Sequence, residues 1–383
     1  MKIVADENIR YVSEAFEGLG EVVLLPGRAI ASADVRDADL LLVRSVTQVN
    51  ADLLQGAAVR FVATATIGED HIDRVFLERE GIAFASAPGC NANSVGEYLV
   101  ASLLHLADKY DFSLASKSLG IVGVGNVGTN VAQKAEALGM RVVLNDPPRA
   151  AATGAPLFRP LEEILACDIV TTHVPLTNEG PHPTRHLVDE AFLKALKPGS
   201  CLINTARGPV VHNDALLAAL QSDHIQGAVL DVWEHEPEVD LELLAAVDIA
   251  SPHIAGYSFD GKVKGTVQIY EAACRFLEVP ATWTPDGLLP EPEHPILTLE
   301  EDTNSLKKVV DTLYPIMEDD ARMRIIAHEV PENRHAYFDM LRKTYPRRRE
   351  FYNTQVSCTD CSSALSAQLE GLGFSVNRPA LHS

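Results

Sequence analysis

The chain has 383 residues, 46% of them hydrophobic, and a formal net charge of −21 from 32 basic and 53 acidic side chains. That length holds two or three domains with sizeable cores, so disorder is excluded as its organising state. So acidic a chain repels phosphate backbones and anionic lipid, which argues against a nucleic-acid or membrane partner. No apolar run reaches the roughly 20 residues that span a bilayer. The acidic pair Asp6-Glu7 sits where a signal peptide would be apolar, so the expected location is the cytoplasm.

Short apolar runs at 1–5, 22–25, 40–43, 61–64 and 82–85 read as strands, with a helical pattern at 12–19 between the first two. A second such rhythm follows, with strands from 119 and at 141–145, 169–172, 200–204, 227–231 and 249–251. Strands alternating with helices predict an α/β fold built on parallel sheets. Ligands of such sheets lie at the carboxyl ends of the strands. Four prolines between 285 and 295 mark a linker.

Beyond the linker, Thr298-x-x-Glu301 reads as a capping box that opens a helix. A helix at 334–344, a strand at 354–356, a helix at 363–369 and a strand at 374–376 complete a small α/β appendix. Leu306, Val309, Val310 and Leu313 form an apolar helical face, fit for the appendix's own core or for a symmetric partner. The cysteines are sparse. Cys358 and Cys361 form a C-x-x-C pair without the second pair or histidines that a zinc site needs, so no metal is expected and both are expected reduced.

The stretch from Leu119 to Gly128 carries G-x-G-x-x-G between a strand and a helix-forming segment, 129–138. Gly123 permits the tight turn, Gly125 lets a pyrophosphate approach the backbone, and Gly128 permits close helix–strand packing. The helix N-terminus then offers free N–H groups to phosphate. Asp146 lies 18 residues after Gly128, at the end of the next strand, where an acid binds ribose. Its carboxylate accepts from both ribose hydroxyls and repels a 2′-phosphate, so NAD is the expected cofactor.

Three further strands end in polar, ionisable segments: 204–208 (N-T-A-R-G), 231–237 (D-V-W-E-H-E-P) and 251–256 (S-P-H-I-A-G). They supply an arginine, a carboxylate and a histidine to one sheet edge. Histidine can take a hydroxyl proton. Arginine can clamp a carboxylate in a bidentate fork. The acid can fix the imidazole tautomer. That set suffices to oxidise a 2-hydroxy acid.

These motifs, in this order, resemble the D-isomer-specific 2-hydroxyacid dehydrogenases over roughly residues 1 to 285. The resemblance implies catalytic roles for Arg207, Glu236 and His253. It implies a two-lobed fold, with a Rossmann dinucleotide-binding lobe (94–256) inserted in a flavodoxin-like substrate lobe (1–93 and 257–285). Narrower segments, at 44–47, 65–73, 88–93 and 251–262, are similar to a member of the family that acts on a small phosphorylated hydroxy acid. It ends in a C-terminal dimerisation domain, matched here by 286–383, which implies a homodimer. From it Ser45, Thr66 and Tyr257 carry over as substrate-binding positions. Asn126, Val127, Asp146, Val174, Ala206, Arg207, Gly208, Asp231 and Gly256 carry over as cofactor positions. The alternative readings are helix caps for Ser45 and Thr66 and packing for Tyr257. His71 and His173 read as structural. The run Arg347 to Arg349 reads as a solvated face or as a cationic partner for a substrate phosphate. Rival readings are a dehydrogenase of a shorter phosphorylated acid and a non-catalytic dinucleotide sensor.

Overall fold

A computed structural model describes residues 1–358 and 360–377. The chain forms two compact units, Met1–Asn91 with Ser258–Glu291, and Ala92–Tyr257 with Pro292–Ser383.

The first unit holds β1 (Lys2–Asp6), β2 (Glu21–Leu25), β3 (Leu40–Val43), β4 (Phe61–Thr64) and β5 (Ala83–Ala85) in the parallel order β2-β1-β3-β4-β5. This is the flavodoxin-like order. All four residues of both β3 and β4 are buried, as expected of strands covered on two faces. On one face the helix Phe259–Phe276 lays Ile269, Tyr270 and Ala273 beside Phe16 and Phe61. Ser258 starts that helix by accepting from the Gly261 N–H at 2.8 Å. On the other face Val35, Leu54, Phe76 and Leu77 close the core.

The second unit holds β6 (Ser118–Val122), β7 (Arg141–Asn145), β8 (Ile169–Thr172), β9 (Ser200–Asn204), β10 (Ile225–Leu230) and β11 (Ile249–Ala250). Their order is β11-β10-β9-β8-β6-β7, all parallel. The chain steps outward from β6 to β7, then returns to β8 and builds the other way. The crevice between β6 and β8 is therefore the topological switch point, where such sheets take ligands. A third sheet, β12 (Ile296–Leu299), β13 (Gln355–Cys358) and β14 (Ser375–Asn377), is also parallel and in chain order.

Four expectations for the C-terminal segment are corrected. Thr298 lies inside β12 and the following helix starts at Ser305, so 298–301 is no capping box. Glu301 instead accepts from the backbone N–H and, at 2.7 Å, the hydroxyl of Ser362, the cap of the helix Ser363–Leu372. Cys358 and Cys361 are joined as a disulfide. Their Cα atoms lie 5.6 Å apart, within bonding range.

The apolar face of the helix Ser305–Leu313 is not free for a partner. Val309 and Val310 are buried in the same core as Tyr98 and Leu99 of the helix Ala92–Lys109. Nor is the arginine run a solvated face throughout. Arg348 is buried, bonded to Glu97 at 2.5 Å and stacked 4.2 Å from the Tyr314 ring. Arg349 donates to Asn353 at 2.6 Å, and Arg347 is exposed. Glu97 also accepts from the Phe351 N–H at 2.7 Å, and burial pushes its carboxyl up to about 7 against the pull of Arg348. Polar groups on one helix of the second unit are thus completed by the C-terminal segment.

Candidate active site

The register of the second sheet lines up Val122, Thr172, Asn204, Leu230 and Ala250 as successive partners across the strands. Asn145 pairs with Val122 on the outer side. The residues that follow this row are Gly123, Asp146, His173, Thr205, Asp231 and Ser251. The segments singled out in the sequence therefore leave the sheet along one edge.

Gly123 has φ of +88°, and a Cβ there would lie 2.8 Å from the His173 backbone, so only glycine fits. At Gly128 a Cβ would lie 2.1 Å from the Gly123 carbonyl oxygen, which is the close helix–strand packing that the motif requires. At Gly125 it would meet open space. Gly125 starts the helix Asn126–Ala137 without a side-chain cap, leaving the first-turn N–H groups of Asn126 and Val127 for an anion.

Beside this turn lies a cavity of about 840 Å³, lined by Gly123, Gly125, Asp146, Pro147, Phe158, Val174 and others. Its size, its largely apolar wall and the acid at its rim suit the adenosine half of a dinucleotide. Asp146 accepts from the Val124 N–H at 2.9 Å and caps the helix Pro147–Thr153 through the Arg149 N–H at 3.0 Å. Pro147 occupies the first helical position, where no N–H is needed. Arg149 donates to the Val124 carbonyl and lies near Phe158. His173 lines the same cavity. It bonds Thr171 at 3.0 Å and Thr205 at 3.2 Å, and burial pushes its pKa down to about 3.

After β9, Asn204 folds the next loop. Its amide oxygen accepts from the Ala206 N–H at 3.0 Å and from Thr172 at 2.8 Å, and its amide donates to the Arg207 carbonyl at 3.1 Å. Arg207 is thereby fixed in extended backbone. Gly208 packs so tightly on the Trp233 carbonyl that a Cβ would clash at 1.8 Å.

Glu236 bonds the Nδ1 of His253 at 2.8 Å through one oxygen and accepts from the Trp233 N–H at 2.8 Å through the other. Burial opposes the charge on Glu236. His253, the Trp233 N–H and Arg342 outweigh burial and hold the carboxyl below its ordinary range. A carboxylate can only accept, so Nδ1 is the protonated nitrogen, and the Nε2 lone pair is left for a proton.

His253 itself has φ of +59°, a left-handed conformation that costs a β-carbon residue about 1–3 kcal/mol. Asp231 holds it there. Its carbonyl accepts from the His253 N–H at 2.7 Å. Its carboxylate accepts from the Ser251 hydroxyl at 2.6 Å, the Ile254 N–H at 2.7 Å and the Ala255 N–H at 3.0 Å. Burial pushes that carboxyl up, against the pull of His253 and these donors. Asp231, expected at the cofactor, also braces the histidine turn. Gly256 and Tyr257 complete the turn, and the Tyr257 ring meets Tyr345 edge-on at 5.8 Å.

In the first unit, Ser45 and Thr66 follow β3 and β4 two residues beyond the paired Val43 and Thr64, so they share one edge. Ser45 is exposed. Thr66 bonds Thr64 at 2.7 Å and the Gly68 carbonyl at 3.1 Å, and buried His71 supports Thr64 at 3.0 Å. Asn204, Ser251 and Arg342 were not singled out from sequence. The first two lay within quoted motifs, and register alone exposes their role. Among the described residues no group of three or more His, Cys, Asp or Glu could hold a metal ion, and no helix is long and apolar enough to cross a membrane.

Residues 104–255 match the family "D-isomer specific 2-hydroxyacid dehydrogenase, NAD binding domain". Residues 288–373 match a domain of unknown function, DUF3410. The chain is 49% identical over 377 residues to an erythronate-4-phosphate dehydrogenase of Cronobacter sakazakii, covering 98% of each. Among solved structures, the TT0316 protein of Thermus thermophilus is similar with a TM-score of 0.64 at 27% identity, over 73% of this chain and 98% of that one. A D-lactate dehydrogenase of Aquifex aeolicus, solved with NAD and lactic acid, gives 0.61 at 25% identity, over 73% of this chain and 96% of that one.

Proposed function

Since the chain belongs to the D-isomer-specific 2-hydroxyacid dehydrogenases, in the branch of the erythronate-4-phosphate dehydrogenases, we propose that it oxidises 4-phospho-D-erythronate at C2 to (R)-3-hydroxy-2-oxo-4-phosphooxybutanoate. The observation that carries this reading is the Glu236–His253 pair at 2.8 Å, on the sheet edge that also bears the dinucleotide turn. Bound NAD supplies the acceptor for the C2 hydride. Residues 123–128 and Asp146 would hold it, with Val174 and the Ala206–Gly208 loop beside them.

Arg207 binds the substrate carboxylate. His253 takes the hydroxyl proton on Nε2, so C2 gives up one hydride and one proton and becomes a ketone. Glu236 keeps the Nδ1 proton in place and stabilises the imidazolium that forms. Asp231 holds the histidine turn. Ser45, Thr66 and Tyr257 serve substrate binding. In this reading 1–93 and 257–285 form the substrate domain, 94–256 the NAD domain and 286–383 the dimerisation domain. The homodimer then uses a surface of 286–383 other than the buried Val309 and Val310. The same reading makes the protein a cytoplasmic enzyme of pyridoxal phosphate biosynthesis.

The test is NADH formation from 4-phospho-D-erythronate and 3-phosphoglycerate side by side. We expect kcat/KM at least ~10-fold higher for the first. Equal values, or a preference for the shorter acid, would overturn the substrate assignment.

A further inference from the structure

A substrate with a phosphate at one end and a carboxylate at the other needs two cationic partners. Arg207 supplies one. The run at 347–349 does not offer Arg348 as the second, because Arg348 is committed to Glu97. The second unit places another arginine beside Tyr257.

The helix Pro331–Lys343 docks Phe338 and Leu341 into the core shared with Trp233 and Ala250, beneath the Glu236 and His253 segments. The next residue, Arg342, is carried to the surface of that core. Its guanidinium carbon lies 5.8 Å from the Tyr257 ring centroid. It bonds the Tyr257 hydroxyl, and its charge helps hold the Glu236 carboxyl ionised. Its Nε is buried and has no hydrogen-bond partner among the described residues. Unlike Arg348, which is buried, Arg342 is only half-buried, and planar, charge-assisted recognition of phosphate is what arginine does best.

We propose that Arg342 of the C-terminal segment binds the phosphate of the substrate, with Tyr257 as the platform that fixes its orientation. The C-terminal segment is thereby part of the active site of its own chain. The inference rests on the reading of the substrate as a phosphorylated hydroxy acid.

The experiment compares the full-length wild type with Arg342→Gln and Arg342→Lys. The substrates are 4-phospho-D-erythronate and unphosphorylated D-erythronate, and inorganic phosphate serves as a competitive inhibitor. Arg342→Gln should raise KM for the phosphorylated acid at least ~10-fold, the larger part of its loss in kcat/KM. Its kcat/KM for D-erythronate, which loses only the pull of Arg342 on Glu236, should fall at least ~10-fold less than that for the phosphorylated acid, and inhibition by phosphate should weaken in parallel. Arg342→Lys should recover part of the affinity by restoring the charge. A loss shared equally by both acids, with phosphate inhibition unchanged, would overturn the inference alone. A wild type that oxidises D-erythronate but not its phosphate ester would overturn the functional reading as well.

Discussion

Replacing Glu236 with Gln tests the reaction chemistry most directly. The carboxylate sits 2.8 Å from Nδ1 of His253, with side-chain exposures of 22% and 34%. At about 4 Å between charge centres and an effective dielectric near 20, an imidazolium gains about 4 kcal/mol from it. One third of the ring meets solvent, so about 2–3 kcal/mol is the fairer figure. That alone is a loss of about 30- to 150-fold. Geometry adds to it. If the Gln oxygen keeps the Trp233 N–H, its amide faces Nδ1 and drives the proton onto Nε2, the atom that must accept the substrate proton. If the amide turns round, two N–H groups oppose each other at Trp233, which orphans a buried donor at about 1–3 kcal/mol. Steady-state kinetics should therefore show kcat/KM down by at least ~10²-fold, with KM for NAD changed less than about twofold. A loss under about fivefold, or one confined to KM for NAD, would refute the general-base assignment.

Asp146→Ala should cut the preference for NAD over NADP at least ~10-fold, read as the ratio of the two kcat/KM values. The lost helix cap should lower stability by about 1 kcal/mol, and an unchanged cofactor ratio would remove Asp146 from the ribose. His173 should make the fold acid-sensitive. Its folded pKa of about 3 lies below the unfolded value of 6.5. The unfolded chain then binds the extra proton first, and stability falls as pH drops below about 6.5. The loss at pH 5 is at most about 2 kcal/mol. Urea titrations at pH 7 and pH 5 should show that drop in the wild type and a smaller one in His173→Gln. Equal drops would show that burial of this ring is not the cause.

How much was legible follows from range. The strands of both large sheets, the glycine turn and the catalytic motifs are local signals: apolar runs, G-x-G-x-x-G, single polar residues after strands. They were readable within one or two residues, and the helix expected at 12–19 is cut to Val12–Phe16 by a turn. What failed were readings that depend on a distant partner. Arg348 looks solvated until Glu97, more than 250 residues away, is placed beside it. Glu301 looks like a helix cap until it is seen holding Ser362 across the third sheet. The face at Val309 and Val310 looks ready for a second subunit until the helix Ala92–Lys109 covers it.

The shared core also decides what truncation does. If the appendix folded on itself, a chain ending near residue 291 would be a stable monomer. In the structure Val309, Val310, Tyr314, Ile316, Phe351 and Leu369 are buried in one core with the helix Ala92–Lys109. At about 1.5–3 kcal/mol per buried apolar side chain, their loss rivals the whole stability of about 5–15 kcal/mol. Glu97 would also lose Arg348 and the Phe351 N–H. The truncated chain should aggregate or lose its near-UV circular dichroism and its NADH binding, as sedimentation and fluorescence titration would show. A soluble monomer with wild-type NADH affinity would mean that the shared core carries little of the stability.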